Sequence, residues 1–371
     1  MTLAPVIAKQ ALSLPTQDLS QTRGMSPFTF PPFEPHFLLR GPHAQTLAGV
    51  YLPGRRFRYR ATQHRVELDD GDQIVLHDDC PAEWQATDRS ALLIHGLAGC
   101  HESGYMQRIA HKLNARGVRS FRMDLRGCGA GAGLARLPYH SGRSEDAAAA
   151  LAAIARLGPQ SPTTLIGFSL GANIALKLLG ELEGRPCGNL DSAVAVSPPV
   201  DLAACSRQMQ SRANRIYDRH FVGLLLRQIE AQRRMLADAA SVTLSRRPKT
   251  LWEFDDKFTA VVSGFGTAEN YYRTASSAQF IPAIRTPTLI LASRDDPMIP
   301  CEGLERAKIP PGVDVHLTHR GGHLGFVGRA GVDADRRWMD WRVVDWVLAR
   351  NVTPPRDSGG IAVGVPGSVR G

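Results

Sequence analysis

The sequence has few cysteines for its length, and none of them occurs in a Cys-x-x-Cys pair. Six cysteines are spread over 371 residues, far below the density of disulfide-stabilised secreted domains. This distribution excludes a small disulfide scaffold. It predicts reduced thiols and a cytoplasmic protein.

A long apolar run and a secretory leader are also missing. No window approaches the roughly 18 uninterrupted apolar residues of a membrane span. Residues 1–24 lack a charged start followed by an apolar stretch and a cleavage site. We therefore predict no integral membrane span, although transient contact with lipid is compatible with this chain. We also predict Met25 rather than Met1 as the translation start, because the preceding segment has no helix or strand pattern.

Acidic residues are the minority among the charges. The chain has 44 Lys and Arg against 35 Asp and Glu, a formal net charge of +9. The basic residues are scattered in ones and twos among acids, without the aromatic-studded stripe of a nucleic-acid site. Nucleic acid is therefore not a predicted partner, and the sequence leaves the oligomeric state open.

Changes in composition divide the chain into five segments. Residues 1–31 are predicted to be a disordered N-terminal extension. Residues 32–200 form the first part of an α/β core, including an N-terminal arm that lacks periodicity. Residues 201–282 form an inserted helical lid, residues 283–350 complete the core, and residues 351–371 are a disordered tail rich in Pro, Gly and Ser.

Strand and helix patterns alternate through the core segments. A hairpin signal surrounds Asp70–Gly71, and short apolar strands then alternate with helices of 11 to 14 residues, such as Tyr105–Ala115 and Ser144–Leu157. This alternation predicts a mostly parallel central sheet with helices on both faces. The lid, which has no strand signal for most of its length, is expected to cover the carboxyl edge of that sheet, where such folds bind ligands.

The sequence Gly167-Phe-Ser169-Leu-Gly171 follows an apolar strand and leads directly into a helical segment. This is the context of a nucleophile elbow, in which Gly167 and Gly171 avoid steric clash around a strained, exposed serine. The alternative is a Gly-Ser turn that only caps the helix. The strand and helix on either side favour Ser169 as a catalytic nucleophile.

A serine nucleophile needs a base, and the base needs an acid to orient it. His323 lies on a glycine-flanked loop after a late strand, and it is the predicted base. The acid is expected at the end of the preceding strand, where Asp295 and Asp296 compete. We favour Asp296, because it begins the Asp-x-apolar-apolar-Pro turn.

The loop His95-Gly96-Leu97 after an early strand is the predicted oxyanion loop. Backbone N–H groups of Leu97 and Leu170 are assigned to the oxyanion hole, because preorganised donors stabilise the charge that develops on the carbonyl oxygen. His95 and Gly96 are predicted to support this loop, and His95 is not expected to act as a base.

Two further patterns are predicted not to hold cofactors. The glycine-rich stretch 126–133 is not followed by a helix or by an acid suited to a ribose, so it is not a dinucleotide fingerprint. His77 to Cys80 contains metal-ligand residue types, but these point to alternate faces of a strand and lack partners. No metal and no organic cofactor are predicted.

Taken together, the chain resembles the YheT-like branch of the α/β-hydrolases over roughly residues 32 to 350. The motifs that carry the resemblance are Gly41-Pro-His43-Ala-Gln45-Thr46, His95-Gly-Leu-Ala-Gly99, Asp124-Leu-Arg126-Gly127, Gly167-Phe-Ser169-Leu-Gly171, Asp255-Asp256-Lys-Phe258-Thr259, Tyr271-Tyr272, Asp295-Asp296-Pro297 and Gly321-Gly-His323-Leu-Gly325-Phe326. The resemblance implies the α/β-hydrolase fold and a cofactor-free carboxylic-ester hydrolase that uses Ser169, Asp296 and His323.

Three functions are compatible with these residues. The first is hydrolysis of short- to medium-chain acyl esters or monoacylglycerols through an acyl-enzyme. The second is acyl transfer from Ser169 to an alcohol by the same triad, and the third is a non-catalytic binding protein on a hydrolase fold. The apolar residues of the lid favour an acyl channel and medium-chain substrates, unless those residues pack the lid shut.

Overall fold

The computed structural model describes residues 28–52, 60–240 and 246–350, together with residues 58, 242 and 244. Most of the predicted N-terminal extension, the proposed start at Met25 and the predicted tail lie outside these residues. Phe28 and Phe30 fall inside the predicted extension, yet they pack against Trp346 and Trp338 of the C-terminal helix.

An eight-stranded sheet forms the centre of the structure. The strands are β1 (Thr62–Glu67), β2 (Gln73–Asp79), β3 (Ser90–Ile94), β4 (Arg119–Asp124), β5 (Thr163–Phe168), β6 (Leu190–Val196), β7 (Thr288–Ser293) and β8 (Val313–Thr318). Their order is β1-β2-β4-β3-β5-β6-β7-β8. The β1–β2 and β2–β4 pairs are antiparallel and the remaining pairs are parallel, which confirms the predicted hairpin and the mostly parallel sheet.

Helices cover both faces of this sheet. They are α1 (Pro42–Tyr51), α2 (Gly104–Asn114), α3 (Ser144–Leu157), α4 (Leu170–Leu182), α5 (Leu202–Met209), α6 (Arg215–Met235), α7 (Leu251–Phe254), α8 (Ala260–Val262), α9 (Ala268–Ala275), α10 (Glu302–Glu305) and α11 (Trp338–Ala349). Successive strand residues point to opposite faces. On β3, Leu92 and Ile94 face the core built with α3 and α4, whereas Ala91 and Leu93 face α2 and α11.

The regular elements in the described part of the insertion between β6 and β7 are all helical, joined by irregular segments. The insertion contains α5 to α9, a π-helical segment (Asp255–Thr259) and two short 3₁₀ turns. Lid residues such as Phe254 and Phe258 join the same apolar core as α3 and α4. No helix in the described part of the chain combines the length and apolar character needed to cross a membrane.

The N-terminal arm corrects one expectation. We expected no regular structure in it, but Pro42–Tyr51 forms a ten-residue helix. Its inward-facing residues, Gln45, Thr46 and Ala48, are polar or small, so the helix has no apolar stripe for a periodicity search to detect. Large apolar side chains are absent there because the helix backbone lies directly against another loop, which is described below.

Candidate active site

Ser169 occupies the sharp turn between β5 and α4. Its backbone has φ 51° and ψ −118°, a conformation that is costly for a residue with a side chain and that typically marks functional positions. A Cβ atom on Gly167 would lie 2.3 Å from the carbonyl oxygen of Gly171, and one on Gly171 would lie 2.4 Å from that of Ile94. The turn therefore requires both glycines, as the nucleophile-elbow pattern predicts.

His323 lies between Ser169 and Asp296. Its Nε2 atom is 2.9 Å from the Ser169 Oγ atom, and its Nδ1 atom is 2.7 Å from the Asp296 Oδ2 atom. Asp296 and His323 are both buried, with exposed fractions of 8% and 9%. The structure thus joins the three residues in one hydrogen-bonded chain, although 127 residues separate Ser169 from Asp296 in the sequence.

The two adjacent aspartates have different partners. The Asp296 Oδ1 atom accepts hydrogen bonds from the backbone N–H groups of Met298 and Ile299, which leaves Oδ2 directed at His323. Asp295 instead accepts a hydrogen bond from the N–H of Gly322 at 2.9 Å. Asp296 is therefore the carboxylate that contacts the imidazole, whereas Asp295 holds the loop that carries it.

Helix α1 supports the loop of His323 from the other side. The Thr46 Oγ1 atom accepts a hydrogen bond from the backbone N–H of His323 at 2.9 Å. Gly322 has φ 58°, and a Cβ atom there would lie 2.5 Å from the carbonyl oxygen of Pro42. Gly322 therefore permits close packing of the His323 loop on α1.

Gln45 completes this support. Its side-chain amide donates to the carbonyl oxygens of Leu39 and Val327 and accepts a hydrogen bond from the N–H of Val327. Reasoning from local patterns missed Gln45 and Thr46 as positioning residues. Only the motif Gly41 to Thr46, noted through the family resemblance, pointed to them.

The predicted oxyanion loop is held by two tyrosines and a histidine. The hydroxyl oxygens of Tyr105 and Tyr139 accept hydrogen bonds from the N–H groups of Gly96 and Ala98, the residues on either side of Leu97. Burial raises the pKa of Tyr105 to about 12, so this phenol stays neutral. These contacts fix the loop between β3 and α2.

The Leu97 and Leu170 N–H groups have no hydrogen-bond acceptor among the described residues. Both residues line the same cavity as Ser169 and His323. Two unengaged donors beside a candidate nucleophile can receive an anionic oxygen. Leu97 and Leu170 therefore stay the predicted donors of an oxyanion hole.

His95 is buried completely beneath this loop. Its Nδ1 atom donates to the carbonyl oxygen of Gly96, and its Nε2 atom accepts a hydrogen bond from the N–H of Leu125. Burial lowers the pKa of His95, which keeps the imidazole neutral. Because both ring nitrogens are engaged, His95 can brace the loop but has no atom available for proton transfer to a substrate.

A cavity of about 140 Å³ lies between Ser169 and the lid. Apolar side chains of the lid and of the strand-edge loops form most of its wall. They include Leu202, Met209, Phe221, Leu225, Ile229, Leu251, Phe254, Phe258, Met298 and Ile299. The lid therefore does not pack completely shut, and an apolar group can lie next to Ser169.

A second cluster, away from the cavity, brings together metal-ligand residue types. His77, His101 and Asp124 offer donor atoms within 4.8 Å of one another, and all three are buried. The sequence predicted that His77 lacks partners, which is wrong: His77 on β2 meets Asp124 on β4, and His101 joins them from the loop after β3. Both imidazoles contact the Asp124 Oδ2 atom, at 2.9 Å and 2.8 Å.

Backbone contacts complete the surroundings of Asp124. Its carboxylate also accepts hydrogen bonds from the N–H groups of His101 and Ala130. Burial by itself would raise the pKa of Asp124, but the hydrogen bonds with the His101 and His77 side chains hold it well below the usual range. A Cβ atom on Gly129 would lie 2.3 Å from the Asp124 Oδ2 atom. The glycine-rich stretch therefore wraps around a hydrogen-bonded carboxylate, which gives these glycines a structural role.

Comparisons with known proteins agree with this architecture. Residues 92–330 match the family described as the alpha/beta hydrolase fold. An esterase of Pyrococcus furiosus, Pf2001, has a similar fold, with a TM-score of 0.51 and 15% identity over 80% of this chain and 96% of that one.

Two relatives share more of the sequence. The putative esterase YheT of Escherichia coli is 33% identical over 311 residues, which cover 82% of this chain and 89% of YheT. A monoacylglycerol lipase of Saccharomyces cerevisiae is 30% identical over 258 residues, which cover 67% of this chain and 56% of the lipase. The chain belongs to the α/β-hydrolase family and, within it, to the branch that contains YheT.

Proposed function

We propose that this protein is a serine hydrolase that cleaves short- to medium-chain acyl esters or monoacylglycerols through an acyl-enzyme on Ser169. The branch to which the chain belongs makes it an ester hydrolase in general. The observation that carries the more specific proposal is the hydrogen-bonded chain from Ser169 through His323 to Asp296 at the floor of an apolar cavity.

The first half of the reaction transfers the acyl group to the enzyme. His323 Nε2 takes the proton of the Ser169 hydroxyl while the Oγ atom attacks the ester carbonyl carbon. The carbonyl oxygen becomes an oxyanion that the N–H groups of Leu97 and Leu170 stabilise. The intermediate then collapses, and the leaving alcohol takes the proton from His323.

In the second half of the reaction, water cleaves the acyl-enzyme. It donates a proton to His323 Nε2 and attacks the acyl carbon, and collapse of the second intermediate returns the proton to the Ser169 Oγ atom and releases the acid. Asp296 accepts the Nδ1 hydrogen of His323 throughout. It therefore keeps Nε2 free to accept a proton and stabilises the imidazolium that forms in each half-reaction.

The size and chemistry of the cavity support the proposed substrate class. Its volume of about 140 Å³ is close to that of an engineered apolar cavity of ~150 Å³ that binds benzene. A group of about six carbon atoms is thus the size that fits. The similarity to a monoacylglycerol lipase of yeast supports glycerol as one candidate for the alcohol part of the ester.

A fluorophosphonate probe tests the proposed nucleophile. Wild-type protein should be labelled and should hydrolyse p-nitrophenyl hexanoate, and Ser169→Ala should lose both properties. Ser206→Ala is the matched control, because Ser206 also lines the cavity but contacts Tyr272 rather than His323. Folded wild-type protein that resists the probe would refute the proposal.

Added alcohol separates hydrolysis from acyl transfer. If water is the normal acceptor of the acyl group, ethanol or glycerol at moderate concentration should change the yield of free acid only slightly. Predominant formation of a new ester would favour the acyltransferase alternative with the same acyl-enzyme. We also retain the cytoplasmic location as part of the proposal, and the absence of disulfides among the six cysteines is compatible with it.

A further inference from the structure

One carboxylate lines the otherwise largely apolar wall of the cavity. Asp255 begins the π-helical segment of the lid, and it lies in the wall next to Phe254 and Phe258. Segments of this kind are rare and occur often at functional sites. Because an acyl channel needs no charge in its wall, Asp255 requires a separate explanation.

The partners of Asp255 are two neutral hydroxyl groups. Its Oδ1 atom accepts a hydrogen bond from the Thr259 hydroxyl, and its Oδ2 atom accepts one from the Tyr272 hydroxyl, both at 2.7 Å. No lysine or arginine in the described part of the chain forms an ion pair with it. Burial raises the pKa of Asp255 to about 6, an effect that the two hydroxyl groups offset only in part.

This environment is costly for a group that only supports the lid. An ionised carboxylate can accept about four hydrogen bonds, and the protein supplies two. Asp255 is half-buried, and even partial burial without a full set of partners destabilises the fold, whereas a leucine would extend the apolar wall. The unused acceptor capacity is best explained by a donor that arrives with the substrate.

We propose that Asp255 binds a hydrogen-bond-donating hydroxyl group of the substrate while the ester carbonyl lies at Ser169. This inference rests on the proposed function and narrows its substrate class to esters that carry such a donor. The donor can belong to the alcohol part, as in a monoacylglycerol, or to the acyl part, as in a hydroxy acid. The recognising chemistry is the same in both cases.

Matched ester pairs test the inference with the full-length protein. For the alcohol part, glyceryl 1-monobutanoate is compared with butyl butanoate; for the acyl part, ethyl 6-hydroxyhexanoate is compared with ethyl heptanoate. Hydrogen bonds to charged groups support a preference in kcat/KM of about tenfold to a hundredfold for the hydroxylated ester. We expect this preference in at least one pair, and that pair identifies which part carries the donor.

Variants connect this preference to Asp255. Asp255→Leu should reduce the ratio within the preferred pair to about one, mainly by lowering kcat/KM for the hydroxylated ester. Asp255→Asn, which keeps the shape but loses the charge, should reduce the ratio at least threefold and remains informative if the leucine variant does not fold. Asp256→Asn is the control, because Asp256 does not line the cavity and instead accepts a hydrogen bond from the N–H of Ala268.

The outcomes separate this inference from the function on which it rests. Equal turnover within both ester pairs by wild-type protein overturns the role of Asp255 while the serine hydrolase proposal stands. A preference that survives unchanged in Asp255→Asn or Asp255→Leu also overturns it. If no ester is cleaved and the fluorophosphonate probe does not label Ser169, the proposed function itself fails.

Discussion

The apolar cavity above Ser169 predicts how the rate should depend on acyl-chain length. Each methylene moved from water into such a cavity contributes up to about 0.8 kcal/mol. A cavity of about 140 Å³ accepts about six carbons by comparison with cavities of known occupancy. From acetate to hexanoate, four added methylenes therefore stabilise the transition state by up to about 3 kcal/mol, roughly 200-fold in kcat/KM.

A single substitution in the lid should shorten the accepted chain. Leu225 lies on α6 with an exposed fraction of 8% and lines the cavity. In Leu225→Trp the larger indole should occupy the space that the end of a hexanoyl chain would use. We expect the preferred substrate to shift toward butanoate, and kcat/KM for acetate should change little because the triad is untouched.

The assay measures kcat/KM for p-nitrophenyl esters from acetate to octanoate with wild-type protein and the variant. Ile216→Trp serves as the control, because Ile216 lies on the same helix with an exposed fraction of 80% and does not line the cavity. A flat or falling dependence from acetate to octanoate in the wild type would refute the channel, although the triad proposal would stand. An unchanged preference in Leu225→Trp would place the acyl chain elsewhere.

Three further predictions concern groups that position the triad or lie apart from it. Asp296→Asn should lower kcat by roughly 10⁴-fold, because an amide no longer favours the productive tautomer of His323. Asp295→Asn keeps an acceptor for the N–H of the loop and should retain activity within a few-fold. Steady-state kinetics of both variants test this difference. Thr46→Val removes the acceptor of the His323 N–H and should lower kcat more than it raises KM, and unchanged kinetics would show that α1 does not position the loop. Dialysis against EDTA tests whether the cluster of His77, His101 and Asp124 holds a metal. If hydrogen bonds alone hold Asp124, ester turnover and the melting temperature should not change. A loss of stability that Zn²⁺ restores would contradict this account.

Several elements could be predicted from the sequence because they depend on local sterics. The alternation of short apolar strands with helices predicts a sheet that is covered on both faces, and the structure confirms this arrangement. Strand and helix boundaries agree within a few residues, as for the predicted helix Ser144–Leu157. Gly167 is required by contact with backbone only four residues away, whereas Gly171 is required by the distant carbonyl oxygen of Ile94; the spacing of the two glycines around Ser169 is nevertheless a recognisable local pattern.

The helix of the arm could not be predicted in the same way. Its inward residues are selected by contact with the loop of His323, which lies 277 residues away from Thr46. Such packing favours small and polar side chains, so the helix carries no apolar periodicity. The cluster around Asp124 was hidden for the same reason, because His77 and Asp124 meet only when β2 and β4 pair in the folded sheet, and His101 joins them from the loop after β3.

Local patterns were sufficient to predict the fold class and the order of serine, acid and histidine along the chain, because strand periodicity and the tight turn at Ser169 depend on neighbouring residues. The three-dimensional contacts were needed to show which of two adjacent aspartates contacts His323, because neighbouring side chains point in different directions and their partners come from a distant loop. They were also needed to show that Asp255 lies in the cavity wall. A carboxylate in a helix looks like solvent-exposed surface in the sequence, and its burial depends on how the lid packs over the sheet.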